Sequence, residues 1–211
     1  MAIPYTGKSE YCYVNSLHMC LHAAGFASDE LPAPGFLECL TTMPFGSTYL
    51  RLDDGPLFFG SPCAISPDDG LDRALDALGW TCANWCGSES TTSSEALERL
   101  RESLASGPVL VGPVDLGYLP YNPRARDLAG GDHFVVALDC DGSRVLLHDP
   151  FGYPYASLTT EELLTAWRAE RISYKRRPYT MRSAFQRNET RNRAGMIERT
   201  LPLVRETMEF D

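Results

Sequence analysis

Two apolar runs around a short polar turn constrain this chain more than any other stretch. In "GDHFVVALDCDGSRVLLHDP", residues 131–150, the runs His133–Leu138 and Arg144–His148 flank "DCDG". Aspartate and glycine between two strand-length apolar segments are the chemistry of a tight β-hairpin, with Gly142 able to take a positive φ. A loop of Cys140, Asp141 and Gly142 sets Asp139 opposite Ser143, and carries the register on until His133 faces Asp149. Directly opposed residues have Cβ atoms about 4.5–5.5 Å apart, near enough for a carboxylate to hold an imidazole by one ring nitrogen. His148 then points to the other face of the ribbon.

A second segment answers the first. In "SEYCYVNSLHMCLHAAG", residues 9–25, Leu17, Leu21 and Ala24 fall at helical spacing and Gly25 closes the run, so a helix is expected over Cys12–Ala24. Cys12 stands at its start, where the helix dipole and unbonded backbone N–H groups favour a thiolate. A thiolate there, with His133 as base and Asp149 orienting it, has the parts of a Cys-His-Asp nucleophile. His18 and His22 share one helical face, as in helical zinc sites, but Met19 stands where the general-base glutamate of that motif belongs. They read instead as a half-exposed polar face, and no metal or organic cofactor is expected. Cys20 reads as core. Cys82 and Cys86 lie too far apart for a C-x-x-C motif and read as structural thiols.

Elsewhere the pattern is that of an α+β domain. Residues 26–69, with six prolines, read as an irregular crossing over the surface. A helix over 69–79 stops at Gly79, "WTCANW" is a short strand, 93–106 is a capped helix, and "PVLVGPVDL" is a buried strand. "SLTTEELLTAWRAE" starts with a threonine cap and acidic first turn, and so is helical. Residues 171–185 suggest one or two further strands. The tail from Asn188 reads as helical except at Pro202. After the buried strand, Asp115 is a candidate for orienting substrate or imidazole, or simply a cap. Tyr118 and Tyr121, set among Pro120 and Pro123, either wall a cleft or cover the core.

Composition narrows the function classes. The 211 residues, 44% hydrophobic and 22% charged, suit one sizeable core: a catalytic domain over 1–185 with 186–211 as its basic tail. No stretch nears the roughly 18 apolar residues of a membrane span, and the N-terminus lacks the apolar run of a signal peptide, so a cytoplasmic enzyme is expected. Seven cysteines at irregular spacing do not form a disulfide framework. Residues 1–170 carry 9 basic and 23 acidic side chains, whereas residues 171–211 carry 10 and 5. From Asn188 on, the basic end has no aromatics interleaved with its arginines, which argues against nucleic acid and for packing on its own acidic body, a sister subunit or an acidic partner.

The segments "YCYVNSLHMCL", "GPVLVGPVDLGYLPYNP", "GDHFVVALDCDG", "VLLHDPFG" and "SLTTEELLTAWRAE" together resemble the N-terminal domain of the butirosin biosynthesis protein H family, relatives of the double-glycine-leader peptidases. The resemblance covers about residues 10–170. It implies a papain-like cysteine protease fold, with Cys12, His133 and Asp149 on the matching positions. It also implies acyl transfer from a carrier-protein thioester to an amine in small-molecule biosynthesis, and a second, C-terminal domain in a full-length member. A cysteine peptidase or amidase, and a non-catalytic papain-like binding module, are the alternatives. Papain-like peptidases place a glutamine shortly before the nucleophile as oxyanion donor. The only glutamine in this chain is Gln186, so the Cys12 N–H must be joined by another donor, with Ser9, Tyr11 and Asn15 as candidates. Tyr11, Asn15, Asp115, Tyr118 and Tyr121 are the expected substrate contacts.

Overall fold

A hairpin and four further strands, with helices against them, organise the chain in the computed structural model, which describes residues 3–7, 11–27, 29–46, 48–52, 55–59 and 65–209. The chain divides into two compact units, Met1–Leu31 with Cys82–Gln186, and Pro32–Thr81 with Arg187–Asp211. Residues 187–211, most of the basic tail, fall in the second unit with residues 32–81.

In the first unit the chain opens with helix α1, Cys12–Ala23. It continues through strand β3, Trp80–Trp85, helix α4, Ser93–Leu104, and strand β4, Val109–Asp115. Strands β5, Asp132–Cys140, β6, Arg144–Asp149, and β7, Tyr153–Thr159, then lead into helix α5, Thr160–Arg168, and strand β8, Met181–Arg187. The sheet order is β3-β8-β4-β5-β6-β7, with β5 antiparallel to both β4 and β6. Val109, Val111, Val135, Ala137, Val145 and Leu147 from its middle strands meet Ala96 and Leu100 of α4 and Leu163, Ala166 and Trp167 of α5 in one buried cluster. Helix α1 lies against β5, β4 and β6, tied by the Ser16 hydroxyl donating to the Phe134 carbonyl at 3.1 Å and by edge contact of Tyr13 with Phe134. Cys20 is core as expected, and burial extends beyond the Leu17 and Leu21 stripe to Val14 and Met19.

The hairpin forms, but its register differs from the expectation. Asp139 pairs with Leu146 and Cys140 with Val145, so the turn is Gly142–Ser143, and a bulge between Ala137 and Asp139 then shifts the ladder by one residue. The cause is the Asp141 carboxylate. Its Oδ1 accepts the backbone N–H groups of Ser143 and Arg144, each at 2.9 Å, and Gly142 takes φ +103° at the first central position, where a two-residue turn needs it. His133 is therefore not directly opposite Asp149. Strand β7 was not expected at all: its exposed Pro154 and Tyr155 break the period-2 pattern. Of residues 171–185, only those from Met181 on join a strand.

The second unit contains helix α2, Pro34–Leu40, the hairpin of β1, Thr48–Leu52, with β2, Gly55–Phe59, helix α3, Pro67–Leu78, and helix α6, Arg193–Glu209. Two of the prolines that suggested an irregular crossing start helices instead, while Pro62 lies outside the described residues. Pro34 and Pro67 sit in first turns, where the missing N–H costs nothing. Helix α3 begins two residues before its expected start, since Ser66 and Asp69 form a capping box, and ends as expected at Gly79, in the left-handed region at φ +74°. Pro202 lies inside α6 rather than ending it. Among the described residues no helix is long and apolar enough to cross a membrane.

Candidate active site

Cys12, His133 and Asp149 come together from the start of α1, the start of β5 and the end of β6. His133 Nε2 and Asp149 Oδ1 are 2.6 Å apart, with the imidazole and carboxylate almost wholly buried. They meet across a ladder two residues out of direct opposition, the diagonal spacing that longer side chains bridge. The Cys12 thiol hydrogen-bonds the same imidazole. Since Nε2 is engaged by the carboxylate, Nδ1 is the nitrogen left for sulfur. Burial alone would lower the pKa of His133, but its interactions with Cys12 and its hydrogen bond to Asp149 outweigh that and raise it to about 10. The ring sits beside a sulfur of intermediate exposure.

The start of α1 suits an anion. Ser66, Thr92 and Thr159 each cap their helix with a side-chain oxygen in a capping box, and acidic residues occupy the first turns of α3, α4 and α5. Helix α1 has Tyr11 at its N-cap, no side-chain cap and no acidic first turn. The first helical bond joins the Asn15 N–H to the Tyr11 carbonyl at 2.7 Å, so the Cys12 N–H precedes the ladder and has no acceptor within the helix. The positive end of the dipole is left for the sulfur and whatever binds beside it.

Asp149 is saturated. Its Oδ1 also accepts the Phe151 N–H at 2.7 Å, and Oδ2 accepts the Tyr121 hydroxyl at 2.7 Å. Its carbonyl accepts the Tyr5 hydroxyl, which in turn accepts the Gly152 N–H. Phe151, 40% exposed, sets its ring edge-on to His133 at 5.7 Å. Tyr5 and Phe151 were missed by sequence reasoning: no local pattern marks a tyrosine whose partner is 144 residues away. His148 faces away as expected, taking the Tyr155 N–H on Nδ1 and giving its Nε2–H to the Ile3 carbonyl.

The other candidate residues scatter. Tyr11 is exposed beside Cys12, and Asn15 is buried one turn on. Ser9 lies outside the described residues. Asp115 is fully buried, and its Oδ1 accepts the Gly117 and Gly130 N–H groups at 2.8 and 2.9 Å, the bonds of a loop cap. Tyr118 lies under the Arg171 guanidinium and lines a cleft of about 460 Å³ with Ser93, Glu161 and Arg168, whose lining contains none of Cys12, His133 and Asp149. Tyr121, expected at a cleft wall or over the core, bonds the carboxylate instead. Among the described residues no three histidine, cysteine, aspartate or glutamate side chains gather to hold a metal.

No family model matches the chain. A Bacillus subtilis (strain 168) protein named uncharacterized protein YobF is 32% identical over 172 residues, 82% of this chain and 52% of that protein, so the chain spans about half the length of this curated relative. A crystal structure described as a C39-like peptidase from Bacillus anthracis matches with a TM-score of 0.55 at 17% identity, over 86% of this chain and 94% of that one. The α+β architecture, with its cysteine-bearing helix against an antiparallel sheet, is accordingly the papain-like fold that this crystal structure shares.

Proposed function

We propose that the chain is a cysteine-nucleophile enzyme that forms an acyl-thioester on Cys12 and passes the acyl group to water or an amine. The observation that carries this reading is the bonded series Cys12, His133, Asp149, with an imidazole whose pKa is raised to about 10 beside the sulfur. In the reaction the Cys12 thiolate adds to the carbonyl carbon. The oxyanion takes the Cys12 N–H at the uncapped end of α1, and the leaving group departs with the proton of the His133 imidazolium. Water or an amine then attacks the acyl-thioester while His133 removes its proton, and Cys12 leaves as thiolate. Asp149 holds the ring and its charge through both steps.

The name of the Bacillus anthracis neighbour supports peptide cleavage. The absence of a glutamine ahead of Cys12 favours thioesters, because one lost oxyanion donor costs about 10²–10³ in rate and a thiolate leaving group needs less help than an amine. The acyl donor would then be a small-molecule or carrier-protein thioester, consistent with a biosynthetic role. The decisive experiment mixes the full chain with acyl-thioesters, an activated ester and peptides, and follows the intact mass. A transient acyl adduct mapping to Cys12 and absent from Cys12→Ala is expected. An adduct on any other thiol, or none with any donor, overturns the reading.

A further inference from the structure

The loop following β4 contains "LGYLPYNP", an aromatic and proline-rich segment to which the chemistry above gives no task. Its second tyrosine reaches the site from behind. The Tyr121 hydroxyl donates to Asp149 Oδ2 at 2.7 Å, while Oδ1 is held by His133 and the Phe151 N–H. The loop presenting it is braced. Leu119 is fully buried, the Asn122 N–H bonds the Leu119 carbonyl, and the nearly buried Asn122 side chain accepts the Arg124 N–H. The Tyr121 ring leans on Tyr153, centroids 5.2 Å apart.

We infer that Tyr121 is a positioning residue, which by holding Asp149 Oδ2 fixes the carboxylate plane so that Oδ1 meets His133 Nε2. This rests on the reading of Cys12, His133 and Asp149 given above. The torsion that turns an aspartate carboxylate is soft and broad. With the phenol gone, a buried oxygen is left without its donor and the carboxylate turns to recover one, taking Oδ1 off the imidazole. The titratable groups facing Asp149 are Tyr5 from the N-terminal segment, Tyr121 from this loop, His133 from β5 and, past Tyr121, Tyr153 from β7. Cys12 lies beyond the imidazole. Burial and the Asp149 charge push the Tyr121 phenol up, so it remains a donor at any pH the enzyme meets.

The test measures the rate of Cys12 alkylation by neutral chloroacetamide against pH, peptide by peptide, on the full chain. Loss of one hydrogen bond to a charged acceptor corresponds to about tenfold slower alkylation at neutral pH, with the acid limb displaced upward by about one pH unit. Exposed Cys86 reports any change in the reagent. In an Asp149→Asn background Tyr121→Phe should add nothing, because it acts only through the carboxylate. A wild-type profile for Tyr121→Phe, or an equal loss in the Asp149→Asn background, overturns the inference. Should Tyr121→Phe fail to fold, 4-fluorophenylalanine at position 121, close to tyrosine in shape and without a donor, must displace the limb upward, and an unmoved limb overturns it. Unimpaired labelling in His133→Ala would instead overturn the underlying reading. Labelling lost there but unchanged in Tyr121→Phe removes only the role of Tyr121.

Discussion

Asp115 and Asp149 end two strands of one sheet, each completely buried, and they hold different things. Asp115 takes two backbone N–H groups of its own loop on one oxygen. Asp149 takes an imidazole, a phenol and a backbone N–H on two oxygens. Burial alone therefore marks neither as functional. A carboxylate that satisfies only backbone shapes a loop, whereas one whose partners are ionisable side chains is placed, on the proposed function, to act on the sulfur beyond them.

The sharpest way to break this contrast is to remove the imidazole. His133→Ala takes away the proton-transfer group, and the rate of Cys12 acylation should fall by about 10²–10⁴, measured by stopped-flow with an activated ester. Asp115→Asn should leave that rate within about threefold, since Asp115 has no bond to the triad.

Stability separates the two aspartates next. Asp149→Ala leaves a buried imidazolium without its partner and should cost about 3–5 kcal/mol in urea unfolding. Asp115→Ala removes two bonds to a charged acceptor and should cost about 1.5–3 kcal/mol, without touching Cys12 reactivity. Similar stability losses paired with equal losses of Cys12 reactivity would erase the distinction.

The pH dependence has a definite sign. The folded-state pKa of His133, about 10, lies above its ordinary 6.5. Its proton therefore contributes stability fully below pH 6.5, and that contribution is lost as pH rises through the folded value. Wild type should lose more thermal stability than His133→Gln between pH 7 and pH 10, and parallel melting curves would contradict the assignment. Smallest of all, Tyr5→Phe removes one neutral bond to the Asp149 carbonyl and should cost about 1 kcal/mol in the same urea series.

Much of the site was legible because its parts are marked locally. Cys12 begins an amphipathic helix that Gly25 closes, and Asp-Gly between two apolar runs calls for a hairpin. The residues of the triad could thus be named while their pairing could not. Register is set by which N–H groups the Asp141 carboxylate collects and by a bulge at Leu138, and neither has a compositional trace. The bonds of Tyr121 and Tyr5 to Asp149 join residues 28 and 144 positions apart, beyond any periodicity. Residues 26–69 misled for a different reason. Proline was read as a breaker where it serves as a first-turn residue at Pro34 and Pro67, and β7 hid behind exposed Pro154 and Tyr155.

The central claim, that Cys12 is activated by His133 rather than merely accessible, is tested most directly by ranking the cysteines by iodoacetamide labelling rate at neutral pH, in wild type and His133→Ala. Exposure alone would place Cys86 ahead of the less exposed Cys12. The account predicts the reverse in wild type, with Cys12 falling behind Cys86 once the imidazole is gone. Cys12 reacting more slowly than Cys86 in wild type, or at an unchanged rate in His133→Ala, would contradict it.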